Sequence, residues 1–188
     1  MKVKGAVLLA RSAFVKKHFG EQAWKDVLAA VSADDRTVFA GLLTTGWYPF
    51  ETGQRLDDAI VRVIGKGDRK VFEELGAASA RENLTTVHKM FVKGLAPQGF
   101  MANAPMIYGF YYDTGKRTYE PTGPSSGVMT TFDAGSYSVV DCLTVIGWHR
   151  EALAMCGATE VTIQETACRA RGDAVCRYEF RWRFGAVA

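Results

Sequence analysis

The sequence predicts an α+β protein in which a mainly helical half, residues 1–115, precedes a ββαββ unit, residues 116–188, whose antiparallel sheet is covered by helices. Apolar residues recur at helical spacing through the first half. After that the pattern changes to short runs separated by turn-rich segments, and the last run alternates strictly between apolar and charged side chains. The length of 188 residues suits one domain, so we expect residues 1–188 to form a single unit.

The first 65 residues predict four short helices. Apolar residues at helical spacing favour two helices within residues 5–31, interrupted at Gly20. Polar residues 32–35 offer N-caps for a helix over residues 37–43. Pro49 stands where a helix through Ile64 can begin, because proline fits the first helical turn.

Two further helical stretches complete this half. Asp68 can cap a helix that starts near Val71 and continues through Val87, Met90 and Phe91 to about Gly94. The run Asn103-Ala104-Pro105 is typical of a helix start, and Gly115 of the following stop.

The second half predicts strands around one helix. Residues 117–120 and 128–132 favour a hairpin, because Pro, Gly and Ser dominate the segment between them. A helix from about Val140 ends at Gly157, where a glycine stop is common. Two strands follow, over residues 159–167 and 176–184, with a turn at residues 169–173. The last strand has an aromatic face for the core and a charged face for water.

Composition narrows the function classes. The formal net charge of +3 is small and spread along the chain, which argues against nucleic-acid binding. The early apolar run, residues 6–10, is cut by Arg11. We therefore expect no signal peptide and no membrane insertion, and a cytoplasmic protein.

No nucleophile elbow, phosphate loop, dinucleotide glycine run or His-Glu-x-x-His motif is present in the sequence. The three histidines, His18, His88 and His149, are scattered. His18 and His88 are interpreted as surface residues. His149 stands two helical turns from Cys142, about 10 Å along the axis, too far for both to bind one ion. We therefore expect no enzyme.

The four cysteines, Cys142, Cys156, Cys168 and Cys176, all lie in the last quarter of the chain. One interpretation is that Cys142, Glu165, Cys168 and Cys176 close a four-coordinate zinc site that joins helix to sheet. The other is that the cysteines are small buried side chains in a reducing compartment. Residues three apart on a regular strand point to opposite faces, so Glu165 and Cys168 can converge only at a bulge or a strand end.

The segments 142–148, 158–161 and 165–180 resemble the end of 4-vinyl-reductase-type domains and of an uncharacterised family of single-domain, heme-NO-binding-like bacterial proteins. Residues 3–5 and 46–50 are similar to the bacterial family only. The resemblance implies the fold named for nitric-oxide signalling and Golgi transport, with which the order of elements is compatible. The C-terminal motif covers about a quarter of the chain.

The resemblance also implies a metal site. Phenol-sensing activators among the relatives have a Cys, Glu, Cys, Cys zinc site, and this pattern matches Cys142, Glu165, Cys168 and Cys176. The positions that hold phenol in those activators correspond to Lys93 and Pro121, so phenol is not expected. The heme-binding relatives have a Tyr-x-Ser-x-Arg motif that this sequence lacks, so no heme is predicted.

We therefore expect a non-enzymatic small-molecule sensor or regulatory module with an apolar pocket between helices and sheet. Its partner would be a small apolar or aromatic ligand, and any signal would pass to a downstream protein that the sequence does not identify. The alternative is an assembly subunit that acts as a homodimer through helices, and a reductase-like enzyme is less favoured. The candidate ligand-binding residues, each of which could equally be core packing, are Trp47, Phe110, Tyr112, Tyr178 and Phe180.

Overall fold

The structure is a computed structural model that describes residues 1–85 and 95–184. Helices dominate its first half and strands its second. In chain order the described helices are α1 (Gly5–Ala29), α2 (Ala33–Ala40), α3 (Phe50–Val63), α4 (Val71–Thr85), α5 (Pro97–Met101), α6 (Ala104–Tyr111) and α7 (Val139–Met155). The strands are β1 (Lys2–Lys4), β2 (Trp47–Pro49), β3 (Lys116–Gly123), β4 (Ser126–Phe132), β5 (Ala158–Ala167) and β6 (Cys176–Phe184).

The four long strands form one antiparallel sheet in the order β3-β4-β6-β5. Helix α7 connects β4 to β5 and packs with α4. Alternate residues of β6 are buried, namely Cys176, Tyr178, Phe180 and Trp182. The predicted fold class, a helical half followed by an antiparallel sheet with helical cover, is confirmed.

Local sequence explains several helix boundaries. Ser32 accepts a hydrogen bond from the backbone N–H of Asp35, so α2 starts earlier than predicted. Ser138 caps α7 in the same way through the N–H of Asp141. At Gly20 the backbone has φ of 91°, which breaks α1 where the sequence predicts an interruption.

The first half is less purely helical than predicted. β1 and β2 form a small antiparallel sheet in which Val3 pairs with Tyr48. Strands of three residues are too short to show an alternating pattern, which explains why periodicity missed them. The short helix α5 was also not predicted. The expected continuation through Val87, Met90 and Phe91 lies outside the described residues, as does His88.

Helices α4 and α7 approach each other through glycines. A Cβ atom at Gly147 would overlap the carbonyl oxygen of Glu73, and one at Gly76 would overlap that of Thr144. The close approach packs α7 between α4 and the sheet, and residues of all three belong to one buried cluster. In this way α7 presents one face to the helices and another to the sheet.

Within the described ranges, none of the helices combines the length and the apolar run that crossing a bilayer requires.

Candidate ligand cavity and metal centre

Three elements bring the cysteine-region side chains together. Cys142 lies in the first turn of α7, Glu165 near the end of β5, Cys168 just after β5, and Cys176 at the start of β6. The pairing of β5 with β6 shifts register between Glu165 and Ala167. This irregularity at a strand end is the condition under which Glu165 and Cys168 can point the same way.

The four side chains form a compact cluster. One ligand atom from each of Cys142, Glu165, Cys168 and Cys176 lies within 4.8 Å of all the others. The sulfur of Cys142 lies 3.7 Å from that of Cys168 and 3.9 Å from that of Cys176. Tetrahedral zinc with Zn–S bonds of about 2.3 Å separates its sulfur ligands by about 3.8 Å. The described residues therefore include one group of ligands that could hold a metal ion.

Glu165 has one oxygen paired and one unpaired. Its Oε2 lies 2.8 Å from Nη1 of Arg171 in a salt bridge. Its Oε1 is buried and has no hydrogen-bond partner among the described residues. A buried carboxylate oxygen without a partner is costly, and coordination of a cation is one way in which proteins satisfy it. The backbone N–H of Arg169 lies 3.5 Å from the sulfur of Cys176, as for a donor to a thiolate.

The thiols differ in acidity. A hydrogen bond from Cys142 lowers the pKa of Cys176 to about 7. The same bond, with burial, raises the pKa of Cys142. Burial, with the neighbouring Glu165, raises the pKa of Cys168. Cys156 stands outside the cluster, and burial raises its pKa to about 11, so it behaves as a small apolar residue.

A separate cavity of about 70 Å³ lies between the helices and the sheet and is partly open to solvent. Its walls come from α1, α4, α6, α7 and the beginning of β3, and they are mainly apolar and aromatic. Small-molecule sites typically combine such walls with a few polar groups. The described lining residues are Val7, Arg11, Ser79, Asn83, Ile107, Tyr108, Tyr111, Tyr112, Arg117, Thr144, Val145, Trp148 and His149.

His149 is the unusual polar group of this cavity. Its side chain is buried, and Nδ1 lies 2.8 Å from the carbonyl oxygen of Val145. Burial, with the nearby charge of Arg117, lowers the pKa of His149 to about 3, so the imidazole is neutral. Its Nε2 has no hydrogen-bond partner in the described part of the chain.

Arg11 of the cavity wall is paired with carboxylates that lie beyond the lining. Arg11 holds both oxygens of Asp57 at 3.0 and 3.2 Å, and Asp141 lies 3.9 Å away. The hydroxyl of Tyr112 donates to Oδ1 of Asp141 at 2.9 Å. Burial raises the pKa of both carboxyls, whereas Arg11 lowers it. For Asp57 the two-point contact with Arg11 favours the ionised pair.

Arg117 is a second buried cation. Its Nε donates to Oγ1 of Thr131 at 3.0 Å, and its guanidinium carbon lies 4.7 Å from the ring centroid of Tyr108. Its charge also lowers the pKa of Asp141. The Tyr108 ring in turn stacks on Tyr112, with 4.8 Å between the centroids.

The five candidate ligand-binding residues do not share one site. Tyr112 lines the cavity. Tyr178 borders a smaller adjoining space of about 30 Å³. Phe180 packs behind the cavity, with its ring centroid 5.8 Å from that of His149. Phe110 and Trp47 are partly exposed and line neither space, and Lys4 covers the ring of Trp47.

Sequence reasoning missed His149, Arg11 and Arg117 as cavity residues, although a signal existed for two of them. His149 follows Cys142 and Val145 at spacings of seven and four, which places it on the buried stripe of α7. Arg11 stands between Val7 and Phe14 on the apolar stripe of α1 in the same manner. A polar residue on an apolar stripe is informative because its burial requires partners.

Comparison with known proteins shows the fold. No family model matches the sequence, and a search of curated proteins finds no match. Solved H-NOX structures do match the three-dimensional structure. An H-NOX protein from S. oneidensis, a triple mutant in the Fe(II) ligation state, has a TM-score of 0.76 at 12% identity over 98% of each chain.

Two further structures agree. The Fe(II) unliganded H-NOX protein from K. algicida has a TM-score of 0.72 at 10% identity, again over 98% of each chain. An oxygen-binding H-NOX domain related to soluble guanylate cyclases, in its oxygen complex, has a TM-score of 0.71 at 12% identity over 97% of this chain and 95% of that one. This chain therefore has the fold of the H-NOX domains, and at such low identity the likeness shows the fold alone.

Proposed function

We propose that the chain is a non-enzymatic sensor or regulatory module that binds a small molecule between its helices and its sheet. The observation that supports this most is the partly open, mainly aromatic cavity with the buried, unsatisfied His149 in its wall. The shared fold supports it further, since the H-NOX structures are described in unliganded, NO-bound and oxygen-bound states. The proposed lining centres on Tyr108, Tyr112, Trp148 and His149.

The proposal does not include heme. A cavity of about 70 Å³ does not fit a porphyrin, since sites for drug-sized ligands alone measure roughly 300–1,000 Å³. The wall is already filled by Tyr108 and Trp148, so a macrocycle would have to displace them. Hemin added to the purified protein should therefore give no shifted Soret band, and a stoichiometric shift would contradict this part of the proposal.

We further propose that Cys142, Glu165, Cys168 and Cys176 hold one zinc ion with a structural role. The separation of the sulfurs and the unpaired buried oxygen of Glu165 support this set. Four protein ligands leave no open coordination position, which is typical of structural zinc. The ion would supply a cross-link between α7 and the β5–β6 hairpin, and Arg171 would hold Glu165 in place.

The two proposed sites share a helix. Cys142 lies in the first turn of the helix whose later turns carry Trp148 and His149. The smaller space beside the main cavity is bordered by Cys142 and Cys176 and also by Tyr108 and Tyr112. A metal that fixes the first turn of α7 would therefore also fix one wall of the ligand cavity.

The ligand proposal is tested by native mass spectrometry of the protein purified from cells. We expect a retained small molecule, or saturable binding of a small aromatic compound. Val145→Phe should abolish it, because this position lines the cavity. Ala154→Phe adds the same ring at an exposed position of α7 and should leave binding intact. Equal binding by Val145→Phe and the unaltered protein would reject this cavity as the site.

The zinc proposal is tested by elemental analysis after expression with zinc. We expect one zinc per chain in the unaltered protein and in Cys156→Ser, whose buried thiol lies outside the cluster. Cys168→Ser should lose the ion. Cobalt(II) in its place should give thiolate charge-transfer absorption. A folded protein without bound metal, or zinc retained by Cys168→Ser, would reject the ligand set.

The expected homodimer and the assembly role stay predictions. Sedimentation velocity at two protein concentrations would test them directly, because a dimer dissociates on dilution.

A further inference from the structure

The hydrogen-bonding state of His149 shows which hydrogen-bonding group of this side chain has no partner. A carbonyl oxygen only accepts hydrogen bonds, so Nδ1, which lies 2.8 Å from that of Val145, must carry the proton. In a neutral imidazole the other nitrogen then has a lone pair and no proton. Nε2 is therefore an acceptor, at the end of the ring away from the helix backbone.

The protein leaves this acceptor unused. Nε2 is buried and has no partner in the described ranges. Several donors on the cavity wall are engaged elsewhere, since the Tyr108 hydroxyl donates to the carbonyl of Thr114 and that of Tyr112 to Asp141. The amide of Asn83 donates to Ser79. A buried acceptor without a donor costs about 1–3 kcal/mol, which a ligand that brings the donor would recover.

The charges around the cavity are balanced. Arg11 faces Asp57, and the charge of Arg117 acts on Asp141. The two buried arginines, the buried Asp57 carboxylate and the partly buried Asp141 carboxylate sum to zero. A charged ligand would leave one uncompensated charge in a poorly solvated site, which is strongly unfavourable. The electrostatics therefore favour a neutral ligand.

The size of the cavity limits the ligand further. Its volume of about 70 Å³ is about half that of the apolar protein cavity of about 150 Å³ that takes benzene. With one side partly open, the cavity suits a molecule of about three to five non-hydrogen atoms. Aromatic walls from Tyr108 and Trp148 favour a flat or apolar body.

We propose that this cavity selects small neutral molecules that present one N–H or O–H donor to Nε2 of His149, and that it discriminates against isosteres without the donor. The inference rests on the proposed ligand-binding function and adds the chemical class of the ligand. A site built to bond a donor rejects analogues that lack it, because its own buried polar atom is then left unpaired.

Metal coordination by Nε2 is the competing use of the lone pair. Metal sites in proteins need several ligands that converge. In the part of the chain that the structure describes, the only group of three or more such side chains is the Cys142 cluster, which does not include His149. Nε2 is therefore better suited to accept a hydrogen bond than to coordinate a metal ion.

The experiment compares pyrrole with furan on the full chain. Both are flat five-membered rings of nearly equal size, but only pyrrole has a ring N–H to donate. We expect pyrrole to bind about five- to ten-fold more tightly than furan in ligand-observed NMR titrations, the worth of one hydrogen bond. The ¹⁵N resonance of His149 Nε2 should shift with pyrrole and not with furan.

His149→Phe is the matched variant, because it keeps an aromatic ring and removes the acceptor. It should bind both rings with equal affinity, close to that of furan for the unaltered protein. Equal binding of pyrrole and furan to the unaltered protein would overturn the inference and leave the proposed function standing. Binding of neither ring to the folded protein would overturn the inference, and saturable binding of a larger aromatic compound would then still support the proposed function.

Discussion

At the scale of single residues, a few buried polar side chains are expected to control stability and ligand binding. His149 lies in the core with one nitrogen satisfied and the other not. Its neutral state is imposed by desolvation and by the charge of Arg117. These conditions predict a measurable dependence of stability on pH as well as a binding preference.

The pKa of His149 in the folded protein, about 3, lies below its ordinary value of 6.5. A depressed pKa means that the stabilisation is fully present above pH 6.5 and is lost as pH falls toward 3. We expect the free energy of unfolding to fall, through this group, by about 1 kcal/mol per pH unit in that window.

Urea unfolding at several pH values checks this, with His149→Phe as the comparison. The stability difference between the two proteins should change with pH by the stated slope. His18→Gln is the control, because it removes an imidazole at an exposed position. A slope that His149→Phe does not alter would show that the imidazole is not held neutral.

The Arg11–Asp57 pair should show strong coupling. Arg11→Met leaves the Asp57 carboxylate buried without its main partner, and we expect a loss of about 3–5 kcal/mol in the free energy of unfolding. Arg11→Met combined with Asp57→Leu should lose less than Arg11→Met alone, because no charge is then stranded. A double-mutant cycle measures this, and additive losses would mean that the pair is not coupled.

At the scale of elements, the contact between α4 and α7 is set by two glycines. Gly147 meets the backbone of Glu73, and Gly76 meets that of Thr144. Backbone atoms at a helix crossing cannot rotate away, so the separation of the two helices depends on the missing side chains. The position of the cavity wall on α7 depends on the same contact.

Gly147→Ala should therefore destabilise the protein by about 3 kcal/mol, as overpacking against a rigid neighbour does. Gly109→Ala is the matched control on α6, where an added Cβ meets nothing within 4 Å. There alanine should be neutral or stabilise by about 0.5–1 kcal/mol, through helix propensity. Chemical denaturation of both variants gives the comparison, and similar small effects would argue against the tight crossing.

At the scale of the whole molecule, the proposed zinc ion would connect the sheet to the helical layer. A ligand that binds only the folded state stabilises it by mass action, by about 3 kcal/mol at a hundred-fold excess over Kd. For a chain of this size about 3 kcal/mol corresponds to roughly 6–12 °C in Tm. We therefore expect a chelator to lower Tm by about that amount.

Cys168→Ser should already melt at the lower temperature and should not respond to the chelator. Cys156→Ser should keep the chelator response, because its thiol is not in the cluster. Differential scanning fluorimetry with and without added zinc measures both. A Tm that is independent of chelator in the zinc-loaded unaltered protein would exclude a structural role for the ion.

The sequence by itself determined the class of the fold and the strands of the second half, and it offered the grouping of the cysteine-region side chains as one of two interpretations. Strict alternation along residues 176–184 specifies a half-buried strand, and caps such as Ser32 specify helix starts, because both signals are local. Local geometry also required a strand irregularity for Glu165 and Cys168 to converge. The register shift at the end of β5 provides that irregularity.

Only the tertiary structure decided where the cavity lies and which residues line it. Trp47 and Phe110 are aromatic, as pocket residues often are, yet they lie outside the cavity. Its lining instead includes Arg11, Arg117 and His149. Periodicity tells which face of an element is buried, but not whether that face meets a neighbour or leaves a gap. A gap arises from how several elements pack at once, here from the crossing of α4 and α7 over the sheet, and no single stretch of sequence encodes it.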